Sequence, residues 1–125
     1  MNRLLLDTHV FLWWQSADHR LSRRIRAAIE TADVVFVSVA SAWECSIKSA
    51  LGKLRLPRNF EKAVEQGGFE KLLISFAHAE AAGRLPPHHS DPFDRMLVAQ
   101  ARAESLVLVT HDRQFEPYDV EMLWA

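Results

Sequence analysis

The chain is short of cysteine, of net charge and of long apolar runs, and each shortage excludes a class of protein. One cysteine, Cys45, in 125 residues leaves no partner for an internal disulfide and fits a reducing cytoplasm. Fifteen Lys and Arg against sixteen Asp and Glu give a formal charge of −1. Bulk charge therefore does not draw the chain to a polyanion, and any such attraction must come from a local patch or a metal. No apolar stretch reaches the length of a membrane span, and the short run after Arg3 is not a secretory signal. Internal repeats, low-complexity tracts and linkers are missing, as is the glycine-rich loop that cradles phosphates in P-loop nucleotide hydrolases. With 49% hydrophobic and 25% charged residues, residues 1–125 read as a single soluble domain around one core.

What is present is organised around Leu4-Leu5-Leu6-Asp7-Thr8. A short continuous apolar run predicts a strand buried on both faces, as in a parallel sheet. Asp7 then falls at the strand's carboxyl end, the edge where open α/β sheets bind ligands. A short helix is expected over 10–15, capped at Asp7-Thr8, and another over 21–31 with Ser22 near its start. Val34 to Val37 predicts a second strand ended by Ser38. A helix over 40–51 follows, with Ala40, Trp43, Ile47, Ala50 and Leu51 as its apolar stripe and Glu44 at the stripe's edge. Residues 53–57 read as a basic-apolar turn or extended piece, 60–66 as a helix ended by Gly67-Gly68, 72–76 as a third strand and 77–83 as a helix. In Asp91-Pro92-Phe93-Asp94-Arg95, Asp91 is placed to cap a helix and Pro92 to be its first residue. At about 100° per residue, Asp94 shares an arc with Phe93, Leu97, Val98 and Ala101. Leu106 to Val109 predicts a fourth strand running into Thr110-His111-Asp112, and 119–124 a fifth, at an edge. Alternating strands and helices imply a parallel sheet covered on both faces.

Four carboxylates thus gain related addresses: Asp7 and Asp112 at strand ends, Glu44 and Asp94 on helices beside the sheet. Crowded carboxylates must take up protons or find a cation. A site of oxygen donors suits Mg²⁺ or Mn²⁺, which acidify bound water and neutralise charge on a phosphoryl oxygen. The chemistry implied is metal-assisted hydrolysis of a phosphodiester. Other carboxylate phosphotransfer patterns do not fit. Asp7-Thr8-His9 lacks the second Asp, two residues on, of the haloacid-dehalogenase type, and the paired N-terminal acids of a response-regulator receiver are also absent.

The combination of Leu-Leu-Leu-Asp-Thr-His, Ser-Ala-Trp-Glu, Asp-Pro-Phe-Asp-Arg-Met-Leu-Val-Ala-Gln-Ala and Val-Thr-His-Asp resembles the PIN-domain family. Within it, the chain is similar to the VapC-type toxins of bacterial toxin-antitoxin pairs. The resemblance spans essentially the whole chain, and Asp-Pro-Phe-Asp-Arg is its most specific part. It implies a three-layer α/β/α sandwich with a five-stranded parallel sheet. It further implies a Mg²⁺- or Mn²⁺-dependent endoribonuclease, usually a homodimer, held inactive by a cognate antitoxin through which alone it would reach operator DNA. Asp7, Glu44, Asp94 and Asp112 match the family's four acids in order, so catalytic and metal-binding roles fall on these four. Two other readings stand beside it: a non-catalytic binding or co-repressor module of the same fold, and a small-molecule metal phosphatase.

Each acid also has a plain structural explanation. Glu44 can pair with Lys48 one turn on, and Asp94, Asp112 and Asp91 can cap helices; Asp91 is assigned only that role. His88-His89 and His111 lack the spacing of a zinc helix motif, and His111 is expected to be exposed. Thr110 and Ser38, at strand ends, can orient a carboxylate or fill a turn. Arg23, Arg24, Arg26, Lys48, Lys53, Arg55, Arg58 and Arg95 are candidates to steer phosphates. Phe11, Trp13, Trp14 and Trp43 are expected mostly in the core, the alternative for some being a groove for a partner helix.

Overall fold

Leu4, Leu5 and Leu6 lie in the central strand of a five-stranded parallel sheet, and all three are buried. The computed structural model describes residues 2–52 and 59–125; the basic-apolar piece expected at 53–57 lies outside them. In chain order the elements are β1 (Arg3–Leu6), α1 (Thr8–Gln15), α2 (Arg23–Thr31), β2 (Val34–Ser38), α3 (Val39–Ala50), α4 (Phe60–Gln66), β3 (Glu70–Leu72), α5 (Phe76–Arg84), α6 (Pro92–Glu104), β4 (Val107–Thr110) and β5 (Met122–Trp124). The sheet order is β3-β2-β1-β4-β5, every neighbouring pair parallel. β1 pairs with β2 through Leu5 and Phe36, and with β4 through Leu5 and Leu108.

Period-two alternation sorts the strands' side chains between two cores. Leu4, Leu6, Val35, Val37 and Val109 face one core, which α1, α2 and α4 close with Val10, Phe11, Ile25, Ile29 and Val64. Leu5 and Leu108 face the other, closed by Ala40 of α3 and by Leu97, Val98 and Ala101 of α6. With a core on each face, a strand tolerates no polar side chain in its middle. The polar residues are pushed to the strand ends, and all the parallel strands end at the same edge.

Two expectations need correcting. The third strand is Glu70–Leu72, not 72–76. The apolar residues after Leu72 do not continue the strand: Leu73 is exposed, and Ser75 starts a helix instead. The Ser75 hydroxyl accepts from the His78 N–H, and His78 Nδ1 accepts from the Ser75 N–H, so two orphan donors are met reciprocally. Second, the apolar stripe of α3 is, apart from Ala40, not its buried face: Trp43 is 59% and Leu51 63% exposed. The buried face of α3 carries Ala40, Ser41, Glu44 and Cys45. Of the other large aromatics, Phe11 and Trp13 are buried as expected, and Trp14 packs on Phe69.

The two helices that bring acids to the sheet edge are tied together by one buried amide. Gln100 of α6 is fully buried. Its Oε1 accepts from the hydroxyl of Ser38 at 2.6 Å, and its Nε2 donates to the Leu73 carbonyl at 3.3 Å. The same Ser38 hydroxyl accepts from the Ala40 N–H and so caps α3. Replacing Gln100 by Ala leaves the Ser38 O–H without its acceptor and the Leu73 carbonyl without its donor. Urea unfolding of Gln100→Ala should show a loss of about 1–3 kcal/mol; an unchanged midpoint would mean the amide does not hold α3 to α6.

Candidate active site

Asp7 emerges from β1 directly into α1. Its Oδ1 accepts from the Val10 N–H at 2.8 Å, the capping bond that starts the helix. Its Oδ2 accepts from the hydroxyl of Thr110 at the end of the adjacent strand β4. The Thr110 oxygen in turn accepts from the Asp112 N–H at 3.0 Å. One hydroxyl thus links the first and fourth acids, the orienting role that was one of two expected for it. Asp112 caps the following 3₁₀ turn, its Oδ1 accepting from the Gln114 N–H.

Glu44 is 3% exposed. Its Oε1 accepts from the Thr8 hydroxyl at 2.7 Å, and its Oε2 pairs with Lys48. The plain helix-surface pair is therefore present, yet it leaves Glu44 in the pocket. Thr8, which the sequence marks only as part of a helix start, ties α1 to α3; its hydroxyl also lies 2.9 Å from that of Ser41. Asp91 is the N-cap of α6, its Oδ1 accepting from Phe93 and Asp94 N–H groups, and Pro92 is the first helical residue, as expected. This cap puts Asp94 in the first turn, aimed at the same edge.

Asp7, Glu44, Asp94 and Asp112 all line one cavity of about 590 Å³, together with Asp91. The pocket collects the four predicted acids although Asp7 and Asp112 stand at opposite ends of the sequence. Its electrostatics follow from that crowding. Asp94 has its pKa pushed from the usual 3.8 up to about 8, chiefly by burial, then by the negative charges of Asp91, Glu44, Asp7 and Asp112. Asp7 is also pushed upward by burial, against the opposing bonds from Thr110 and Val10. Such a site favours either protons or a hard cation with oxygen donors.

The cations do not follow expectation. Among the described residues those lining the cavity are Arg20, Lys48 and Arg113, of which Lys48 is one of the candidates named from the sequence. Arg20 is held by Asp18 at 2.7 Å and stacks over Trp13, while Arg113 lies over Trp124. Arg24 and Arg26 donate to the Trp124 and Asp18 carbonyls and, like Arg23, do not line the pocket. Arg95 turns inward, donating to the carbonyls of Ala82, Leu85, Pro86 and His89. Lys53, Arg55 and Arg58 lie outside the described residues. Ser38 serves α3 and α6, not the acids.

The sequence assigns His89 no role, and the structure places it in the site. His89 is 8% exposed, and its Nε2 lies 2.9 Å from Asp94 Oδ2 and 3.5 Å from Asp112 Oδ2. No zinc-like spacing marks it, because its neighbours in the site come from α6 and from the end of β4. His111 is exposed, as expected, but its ring packs 4.4 Å from that of Trp13 at the pocket's rim.

Fold and site together define a class: a parallel-sheet α/β protein with a carboxylate pocket at the sheet's carboxyl edge. The PIN-domain family model matches residues 4–121, and the chain belongs to that family. It is 29% identical over 121 residues to ribonuclease VapC22 of Mycobacterium tuberculosis (strain ATCC 25618 / H37Rv), covering 94% of this chain and 93% of that one. Two solved structures share the fold. One is DNA-bound VapBC from Salmonella typhimurium, with a TM-score of 0.69 and 19% identity, over 98% of both chains. The other is VapBC2 from Rickettsia felis bound to a fragment of promoter DNA, with a TM-score of 0.68 and 14% identity, over 97% of both.

The raised pKa of Asp94 fixes the sign of a pH effect. Between the usual 3.8 and about 8 the folded protein keeps a proton on Asp94 that the unfolded chain releases. Stability of the metal-free protein therefore falls as pH rises through that window. Thermal melts between pH 5 and 8 should show this fall, and Asp94→Asn should make it shallower. A wild type and variant with the same slope would contradict the crowded, protonated carboxyl.

Proposed function

We propose that the chain is a metal-dependent endoribonuclease, the toxin of a toxin-antitoxin pair. The observation that carries the reading is the pocket that gathers Asp7, Glu44, Asp94 and Asp112, where burial and the neighbouring carboxylates push the Asp94 pKa up to about 8. The likeness to ribonuclease VapC22 over nearly the whole of both chains supports RNA as the substrate. The donor set fits a hard divalent cation: carboxylate oxygens in excess, with Thr8 and Thr110 hydroxyls fixing two of them.

In this reading Asp7, Glu44, Asp94 and Asp112 would hold Mg²⁺ or Mn²⁺. When bound, the ion supplies charge neutralisation at the phosphodiester and a water acidic enough to act near neutral pH. The chain's own residues do the rest. Thr110 holds Asp7 and the backbone of Asp112 in one arrangement, and Thr8 does so for Glu44. Lys48 and Arg113 at the rim meet phosphates that the acids alone would repel. Arg20 is committed to Asp18 and Trp13 and stiffens the rim. The attacking group is water, so no side chain is used as a nucleophile.

A cognate antitoxin is the partner we infer, and a homodimer the state. The exposed Trp43, Leu51, Leu73 and Phe76 support a protein partner, since large apolar side chains on a surface mark contact sites. The solved VapBC complexes with the same fold support its type. Among the described residues no helix is long and apolar enough to cross a membrane.

Incubating the purified protein with total RNA should give cleavage with Mg²⁺ or Mn²⁺ and none with EDTA. Asp7→Asn should lower the rate by about 100-fold or more, as removal of a principal electrostatic group does. An Asp7→Asn protein cutting at the wild-type rate would sink the assignment. Tight antitoxin binding with no cleavage of any RNA would favour the binding-module reading instead, and turnover of simple phosphomonoesters the phosphatase reading.

A further inference from the structure

Every polar atom of His89 but one is already engaged. Its backbone N–H donates to the Tyr118 hydroxyl at 2.9 Å, and that hydroxyl donates to the Pro86 carbonyl at 2.8 Å. Its carbonyl accepts from Arg95 at 3.3 Å. Its ring packs edge-on against Phe115, 5.6 Å between centroids. Its Nδ1 accepts from the Asp91 N–H at 3.3 Å. The exception is Nε2, which is buried and without a hydrogen-bond partner among the described residues. That nitrogen faces Asp94 Oδ2 at 2.9 Å and Asp112 Oδ2 at 3.5 Å, close to both and in hydrogen-bond alignment with neither.

An orphaned nitrogen in so heavily braced a ring needs a reason, because leaving it unpaired costs stability. The tautomer supplies part of one. With Nδ1 accepting from a backbone N–H, the neutral ring carries its proton on Nε2, and that N–H points between two carboxylates. The terminal torsion of Asp is soft, so a small rotation of Asp94 or Asp112 completes the bond. The three ligand-type atoms of His89, Asp94 and Asp112 lie within 4.8 Å of one another, so this N–H meets the acids where they converge.

We propose that His89 is a positioning residue for the third and fourth acids: its Nε2–H is shared by Asp94 and Asp112 and fixes which carboxylate oxygens remain to meet a divalent cation. The inference rests on the reading of the four acids as the cation-holding group. It also gives Arg95 and Tyr118 a purpose beyond packing, since both hold the backbone of the 85–89 segment that presents the ring. Arg95, which the sequence offers as a phosphate-steering charge, contributes to the site by bracing His89.

The test is calorimetric titration of the full-length, antitoxin-free protein with MnCl₂, each variant first checked for folding by circular dichroism. His89→Ala should bind Mn²⁺ about tenfold more weakly, the usual cost of losing a partner behind a metal ligand. His89→Gln, which keeps an N–H donor at similar reach, should stay within about threefold of wild type. Electron spin echo spectra of the Mn²⁺-loaded wild type should lack the coupling of a directly bound imidazole nitrogen. Should His89→Ala fail to fold, His89→Gln and the spectrum still decide. The proposal falls if His89→Ala binds as tightly as wild type, if His89→Gln loses as much as tenfold, or if nitrogen coupling shows His89 to be a ligand itself. Asp7→Asn separates the two levels: if it binds Mn²⁺ like wild type, or if wild type gives no heat, the cation-holding reading itself is wrong.

Discussion

Mutual repulsion of carboxylates at one edge of a parallel sheet is the constraint to which the rest of this structure answers. Asp7, Glu44, Asp91, Asp94 and Asp112 line one cavity, and burial strips Asp7 and Glu44 of the water that would screen them. Isolated, such a group is unstable. It persists because neutral donors from the surrounding framework hold it: the Thr8 and Thr110 hydroxyls, the N–H groups at the starts of α1 and α6, and the N–H that opens the turn after Asp112. Helix N-termini are well suited to this, since their unpaired N–H groups and dipoles favour negative charge without neutralising it.

The braces are themselves braced. Gln100 joins α6 to the cap of α3, so the helices carrying Asp94 and Glu44 cannot drift apart independently. Arg95 and Tyr118 hold the segment that carries His89. The pocket is thus rigid on the side of the acids. Its cationic rim is partly neutralised, because Arg20, Lys48 and Arg113 each have an acidic partner. A polyanion entering here meets a net-negative floor, which is why the proposed activity requires a cation of its own.

The outer face of α3 obeys a different rule. Most of its apolar stripe lies outside, and its buried face carries Ala40, Ser41, Glu44 and Cys45, of which Glu44 lines the pocket. A helix that serves a polar site on one side has its apolar stripe left to meet something else. That division is consistent with a protein that works with a partner.

Much of this was legible in the sequence. The Leu4–Leu6 run, the alternation of strand and helix, the Asp91-Pro92 cap and the four acids are local or periodic signals, fixed by chain chemistry before any long-range contact forms. Gathering the acids at one edge follows from topology, because parallel strands all end on the same side. The tertiary structure alone decided what depends on distant neighbours. It placed the third strand at 70–72, since Ser75 and His78 close a cap that outbids the apolar residues beside them. It exposed Trp43, turned Arg95 inward, and brought Arg20 and Arg113 to the rim. Above all it placed His89 between Asp94 and Asp112: in sequence that residue is one of two adjacent histidines in a loop, and nothing local says which ring is buried. Periodicity reveals which face of an element is apolar, but only the packing of other elements determines what that face, or a loop beside it, touches.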